Sequence, residues 1–174
     1  MKNYTVRRYL SDDVALWNAF VGSAQNATFL FHRDFMEYHS DRFQDYSLLV
    51  FEGEKLISIL PANCTEYEVY SHSGLTYGGF VLGQTVGEND FEMIYAAIIE
   101  FLKKADKKQL IIKEMLSFYH QTVTINFADF FIEKGTSVNK GGTPIVALLV
   151  SSLFSLFLIC IGSFEVLFSC AAFT

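Results

Sequence analysis

A chain of 174 residues is long enough for one ordinary domain with a core of its own. Its net charge of −6 excludes a protein that grips a phosphate backbone, which needs clustered cations. Apolar residues make up 51% and mean hydropathy is +0.27, yet that average hides a split. All 13 Lys and Arg lie at or before Lys140, and of the 19 Asp and Glu only Glu165 lies beyond it.

Residues 5–10 read as a strand. Ser11, Asp12 and Asp13 then suit a helix start, and Val14, Trp17, Phe20 and Val21 continue at helical spacing to Gly22. Residues 33–43 read as a second helix with Phe35, Met36 and His39 inward. Residues 46–51 and 55–62 form a predicted hairpin turned at Gly53, and Pro61 marks the end of its second strand. A short strand at 66–71 precedes a glycine-bearing loop and an apolar 80–82. The strongest helix starts at Asn89 or Asp90, with Phe91, Ile94, Ile98, Phe101 and Leu102 on one face. It ends in Lys103, Lys104, Lys107 and Lys108, cations that complement the helix dipole. Residues 110–112 read as a buried strand, and the aromatic 127–132 fits a helix or a strand. The order predicts an α/β (α+β) fold, a mixed sheet flanked by helices.

The tail differs. Residues 144–162 carry no charge and would span roughly 28 Å as a helix, close to the ~30 Å of a bilayer core. They are expected to form a C-terminal transmembrane helix, giving domains at 1–138 and 139–174. The alternative is a core helix or strand pair of the soluble domain. Lys134 and Lys140 precede the span and no cation follows it, which puts the first domain in the cytoplasm. Cys64, Cys160 and Cys170 have neither disulfide nor zinc spacing, and no metal is expected.

Two stretches are candidates for chemistry. In Ser71-His72-Ser73-Gly74-Leu75-Thr76-Tyr77-Gly78-Gly79 the glycines let backbone approach a ligand, while His72 and Tyr77 can donate hydrogen bonds or move protons. The alternative is a plain turn with a half-buried Tyr. Tyr119-His120 is a second pair able to line the same cleft. His32, Arg33 and Asp34 mark a helix start rather than a triad.

The stretch Ala27-Thr28-Phe29-Leu30-Phe31-His32-Arg33-Asp34-Phe35-Met36-Glu37-Tyr38-His39-Ser40-Asp41-Arg42-Phe43, with Leu60-Pro61-Ala62-Asn63 and residues 70–80, resembles the N-terminal half of FemAB-like, GNAT-type acyltransferases. The likeness runs over about residues 5–135. It implies a GNAT-like sheet, no permanently bound cofactor, acetyl-CoA as co-substrate, and a small-molecule amine or sugar amine as acceptor. It further implies an incomplete enzyme, the acceptor-binding half of an N-acyltransferase, with a second GNAT-like half as partner. His72, Tyr77, Gly78, Gly79 and Glu114 would bind the acceptor, flanked by Tyr119 and His120. Gln84-Thr85-Val86-Gly87-Glu88-Asn89 stands where that family binds the acyl-CoA pyrophosphate, which assigns Gln84, Gly87 and Asn89 to it. Asn89 departs from the family's Gly or Ala, and Glu88, Asp90 and Glu92 crowd the place with negative charge, so an ordinary acidic helix start is the competing reading. The tail, with Asn139-Lys140-Gly141-Gly142-Thr143-Pro144 before it, resembles one membrane helix of an amino-acid or polyamine permease. The alternative function is therefore a non-enzymatic membrane-anchored module or a permease fragment.

Overall fold

The computed structural model describes residues 2–39, 41–113, 125, 127–133, 137–139 and 145–149. Strands β1 (Tyr4–Arg8), β2 (Leu48–Glu52) and β3 (Lys55–Leu60) lie antiparallel in that order. The expected hairpin is β2–β3, with Glu52 opposite Lys55 and Gly53 at φ +60° in the turn. Val50 pairs with Ser58 but Phe51 pairs with Leu56, so Ile57 is an extra residue in β3. A bulge re-aims the side chains around it. Ile57 and Leu60 accordingly join one core, and Leu56 and Ile59 the other.

Beyond Pro61 and Ala62 the same strand direction resumes as β4 (Asn63–Cys64). Residues 44–46 flank 62–64 on the β2 side, through Tyr46 N–H to Ala62 O (2.8 Å) and Cys64 N–H to Gln44 O (3.0 Å). On the opposite side lie β5 (Glu68–Tyr70), antiparallel to β4, and β6 (Val81–Leu82), antiparallel to β3. Strands β5 and β6 thus share one lane of the sheet, interrupted between them. Next to β5 runs β7 (Gln109–Lys113), parallel to it, then β9 (Ile145–Leu149) and β8 (Ser137–Asn139), both pairings antiparallel.

Parallel neighbours need a crossover, and helix α3 (Glu88–Lys104) supplies it. Its inward face is Phe91, Ile94, Ile98 and Leu102, all fully buried, as the periodicity predicts. At its end Asp106 adopts φ +55°, Asp106 N–H reaches Lys103 O and Lys107 N–H reaches Leu102 O, which satisfies the last carbonyls. Together with α4 (Phe127–Glu133) it covers one core, formed with Leu48, Val50, Leu60, Leu82, Leu110 and Ile112. Helices α1 (Val14–Val21) and α2 (Arg33–Met36) cover the other, with Trp17, Phe31, Leu49, Ile59 and Val81. A sheet covered on both faces explains why 46–51 and 55–62 read as almost unbroken apolar runs.

Two expectations change here. The helix predicted over 33–43 is one turn of α2 followed by a 3-10 turn at Glu37–His39, and Phe35 is exposed rather than inward. Arg33, not an apolar residue, fills the interior position that sets the direction of this segment. The membrane span predicted from residue 144 is interrupted at its start: Ile145–Leu149 is strand β9, paired on both sides by backbone, so residues 144–162 are not one continuous helix. An apolar run fits a central strand as well as a span, and periodicity does not separate them. Residues 150–162 lie outside the described residues, and among those described no helix is long and apolar enough to cross a membrane.

Candidate functional site

The lane shared by β5 and β6 opens into a loop, and its geometry starts from Ser71. Ser71 N–H continues the parallel ladder to Ile111 O (2.8 Å), and the Ser71 hydroxyl accepts the Lys113 N–H (2.9 Å). The chain then leaves the sheet and comes back at Gly78, whose N–H donates to Lys113 O (2.8 Å). An added Cβ at Gly78 would stand 1.8 Å from Ser71 O, so the neck of the loop closes with no room for a side chain. Gly79 follows at φ +104°, a conformation that favours glycine. His72 opens the loop at φ +65°, in the left-handed region.

Inside this loop each end is tied down. Leu75 N–H donates to His72 O (3.1 Å), which turns the chain. The buried Asn63 accepts Ser73 N–H through Oδ1 (2.6 Å). Lys113 Nζ donates to Ser73 O (3.1 Å) and Leu75 O (3.2 Å), holding the loop over the end of β7. Leu75 and Tyr77 enter the α1–α2 core, where the Tyr77 ring meets Phe31 edge-on at 5.9 Å and its hydroxyl donates to Thr28 Oγ1 (3.0 Å). His72 is buried, with its ring 5.9 Å from that of Phe43.

The structure therefore brings His72, Tyr77, Gly78 and Gly79 into one anchored loop at the junction of the β1-β2-β3-β6 and β4-β5-β7-β9-β8 sheets. Glu114, Tyr119 and His120 lie outside the described residues. Gln84, Gly87 and Asn89 stand elsewhere, exposed, on the segment that leads from β6 into α3. There the Gln84 side chain donates to Ser23 O (3.0 Å), and Gly87 caps α3 without a side chain of its own. The Asp90 carboxylate accepts from Lys2 Nζ (2.7 Å) and from the Tyr4 hydroxyl (3.0 Å). The Lys2 hydrogen bond is the main reason that Asp90 is held below the usual carboxylate range.

Sequence reasoning missed Gln25 and Asn26. The buried Asn26 amide acts as a peptide unit toward β6: Nδ2 donates to Phe80 O (2.7 Å) and Oδ1 accepts Leu82 N–H (2.8 Å). Gln25 N–H donates to Leu82 O (2.8 Å), and its side-chain amide donates to Gly83 O (2.6 Å) and Val86 O (3.0 Å). An adjacent pair of amide residues after a helix-ending glycine was the available signal. Arg33 was read as part of a helix start, yet its guanidinium lies 3.3 Å from the ring centre of Tyr9 and 4.0 Å from that of Trp17, and it pairs with Asp45. Burial pushes the Arg33 pKa down and Asp45 opposes that shift. Among the described residues no three His, Cys, Asp or Glu side chains gather to hold a metal ion.

An antiparallel run on one side, an antiparallel trio on the other, and a parallel junction crossed by α3 together make the GNAT fold. The Escherichia coli ribosomal-protein-S18-alanine N-acetyltransferase superposes with a TM-score of 0.59 over 88% of this chain and 98% of its own, at 11% identity. The GNAT domain of S. lividans PAT gives 0.57 over 83% and 89%, also at 11% identity. An acetyltransferase from Streptococcus agalactiae gives 0.52 over 86% and 99%, at 10% identity. At such identities the likeness is one of fold. No protein-family model matches the sequence, and no curated protein does.

Proposed function

We propose that this chain is the acceptor-recognising, GNAT-fold domain of an N-acyltransferase, in a reaction that uses acyl-CoA as co-substrate and a small-molecule amine or sugar amine as acceptor. The observation that carries this reading is the loop let into the central lane, tied by Gly78 at its neck and by Lys113 and Asn63 along its length. A polar loop costs backbone hydrogen bonds in the middle of a sheet, and polar loops held on a rigid scaffold are where binding residues concentrate.

Each residue has a role in this reading. An amine attacks an acyl carbon only as the free base, so its ammonium must first lose a proton. The His72 imidazole is a group that can take that proton near neutral pH. The Tyr77 oxygen, having given its hydrogen to Thr28, faces an amine N–H as an acceptor. Gly78 and Gly79 expose backbone to the bound molecule. Glu114, Tyr119 and His120, which come after β7 in the sequence, are assigned to the acceptor by the family likeness alone. The FemAB-like likeness of residues 27–43 and 70–80 supports a second GNAT-like half as partner.

The test is titration of the full chain with a panel of primary amines and amino sugars, followed by calorimetry. One class should bind saturably, and Tyr77→Phe and His72→Asn should each weaken it about tenfold, Asn being chosen because it tolerates a positive φ. Failure of every amine to bind, or variants that bind as the parent does, would overturn the reading.

A further inference from the structure

Acyl-CoA brings an extended, amide-bearing arm and a pyrophosphate, and each needs a place to go. The natural place for such an arm is an open strand edge, which offers backbone donors and acceptors in a row. In this sheet that edge is the side of β6 opposite β3. Its backbone groups are Phe80 O, Leu82 N–H and Leu82 O, and all three are bonded from within the chain by Asn26 and Gln25, at 2.7 to 2.8 Å. An incoming arm would exchange one set of amide bonds for another, with nothing gained to offset the freedom lost on binding.

The pyrophosphate fares no better. The first turn of α3 is where a pyrophosphate would meet free N–H groups, but Asp90 lies in that turn and is already paired with Lys2 and Tyr4. Asp90 and the exposed Glu88 place two carboxylates there against the single ammonium of Lys2. A polyanion adds repulsion to that count. Between α3 and α4 the space is aromatic: Phe91, in the first turn of α3, stacks edge-on against Phe80 (5.1 Å), Phe127 (5.0 Å) and Phe130 (4.9 Å).

We propose that this chain does not hold acyl-CoA in the opening of its own sheet: Asn26 and Gln25 seal the strand edge, and the carboxylates of Glu88 and Asp90 in the first turn of α3 repel the pyrophosphate. The inference goes beyond the acceptor reading and is measured separately from it, since amine titrations need no donor. Calorimetry of the full chain with coenzyme A, acetyl-CoA and inorganic pyrophosphate should give no saturable heat at millimolar concentration. Micromolar binding by the parent chain would overturn the proposal. The doubly substituted Glu88→Gln/Asp90→Asn chain, shown folded by near-ultraviolet circular dichroism, should gain at least about tenfold in pyrophosphate affinity. Asn26→Ala should gain coenzyme A binding. Folded variants that remain blind to both ligands would show that these are not the blocking groups. Should Asn26→Ala not fold, hydrogen exchange on the parent decides: the Leu82 amide should exchange at the same rate with and without coenzyme A, and added protection by coenzyme A would overturn the proposal.

Discussion

Strands β5 and β6 occupy one lane, yet they are held in different ways. Both edges of β5 are bonded by backbone, β4 on one side and β7 on the other. Among the described residues one edge of β6 has a strand beside it, and the other is bonded by the Asn26 side chain and the Gln25 backbone. A carboxamide has the donor and acceptor of a peptide unit, so one buried Asn can stand in for a missing strand residue. The difference between the halves is thus one of cooperativity. The β5 half is held by neighbours that are themselves held, and the β6 half depends on single residues.

That comparison is easiest to break at the neck between the halves. Gly78→Ala puts a methyl group into Ser71 O and should cost about 3 kcal/mol or more in urea unfolding, with the loop lost. A variant as stable as its parent would mean that the lane does not close there. Asn26→Ala comes next, at about 2 to 4 kcal/mol, because two buried backbone groups lose their partner at once. The loss should be concentrated in β6: amide exchange at Leu82 should quicken while exchange in β7 holds.

Smaller effects sharpen the contrast between the two cores, one of which is all apolar at its centre while the other contains Arg33. Asp45→Asn removes the charge opposite a buried guanidinium and should cost about 1 kcal/mol, a discounted figure because Asp45 is itself 41% exposed. Arg33→Met should cost less than that loss if the rings of Tyr9 and Trp17 accept an apolar side chain in its place. Thermal unfolding of both variants ranks them. The smallest effect is on pH dependence. Hydrogen bonds from Arg7 and Lys2 hold Asp13 and Asp90 below their ordinary value of 3.8. A lowered carboxylate adds stability that is complete above the unfolded value and is lost as pH falls through the folded one. The fall of Tm below pH 3.8 should therefore flatten in Asp13→Asn and in Asp90→Asn, with little change at neutral pH.

Much of the frame was readable along the chain. The α3 face of Phe91, Ile94, Ile98 and Leu102, the Gly53 turn and the glycine-bearing loop at 71–79 all depend on neighbours in sequence, where periodicity and turn chemistry act. The segment 71–79 was readable only as a loop. Its seat at the junction of the two sheets follows from Ser71 and Gly78 both bonding β7, a strand some 35 residues further on. Ile145–Leu149 shows the limit of composition, because uncharged residues suit a bilayer and a central strand equally until their backbone partners are known.

Local order was thus legible in α3, in the β2–β3 hairpin, and where cations and carboxylates meet the ends of α3. The tertiary structure alone decided that Asn26 closes an edge belonging to Phe80 and Leu82, that Arg33 lies against the rings of Tyr9 and Trp17, and that Asp90 is bound by Lys2. Each of those contacts joins residues far apart in the chain or turned to a side that no local pattern marks. A buried polar group must find its partner wherever the packed chain provides one.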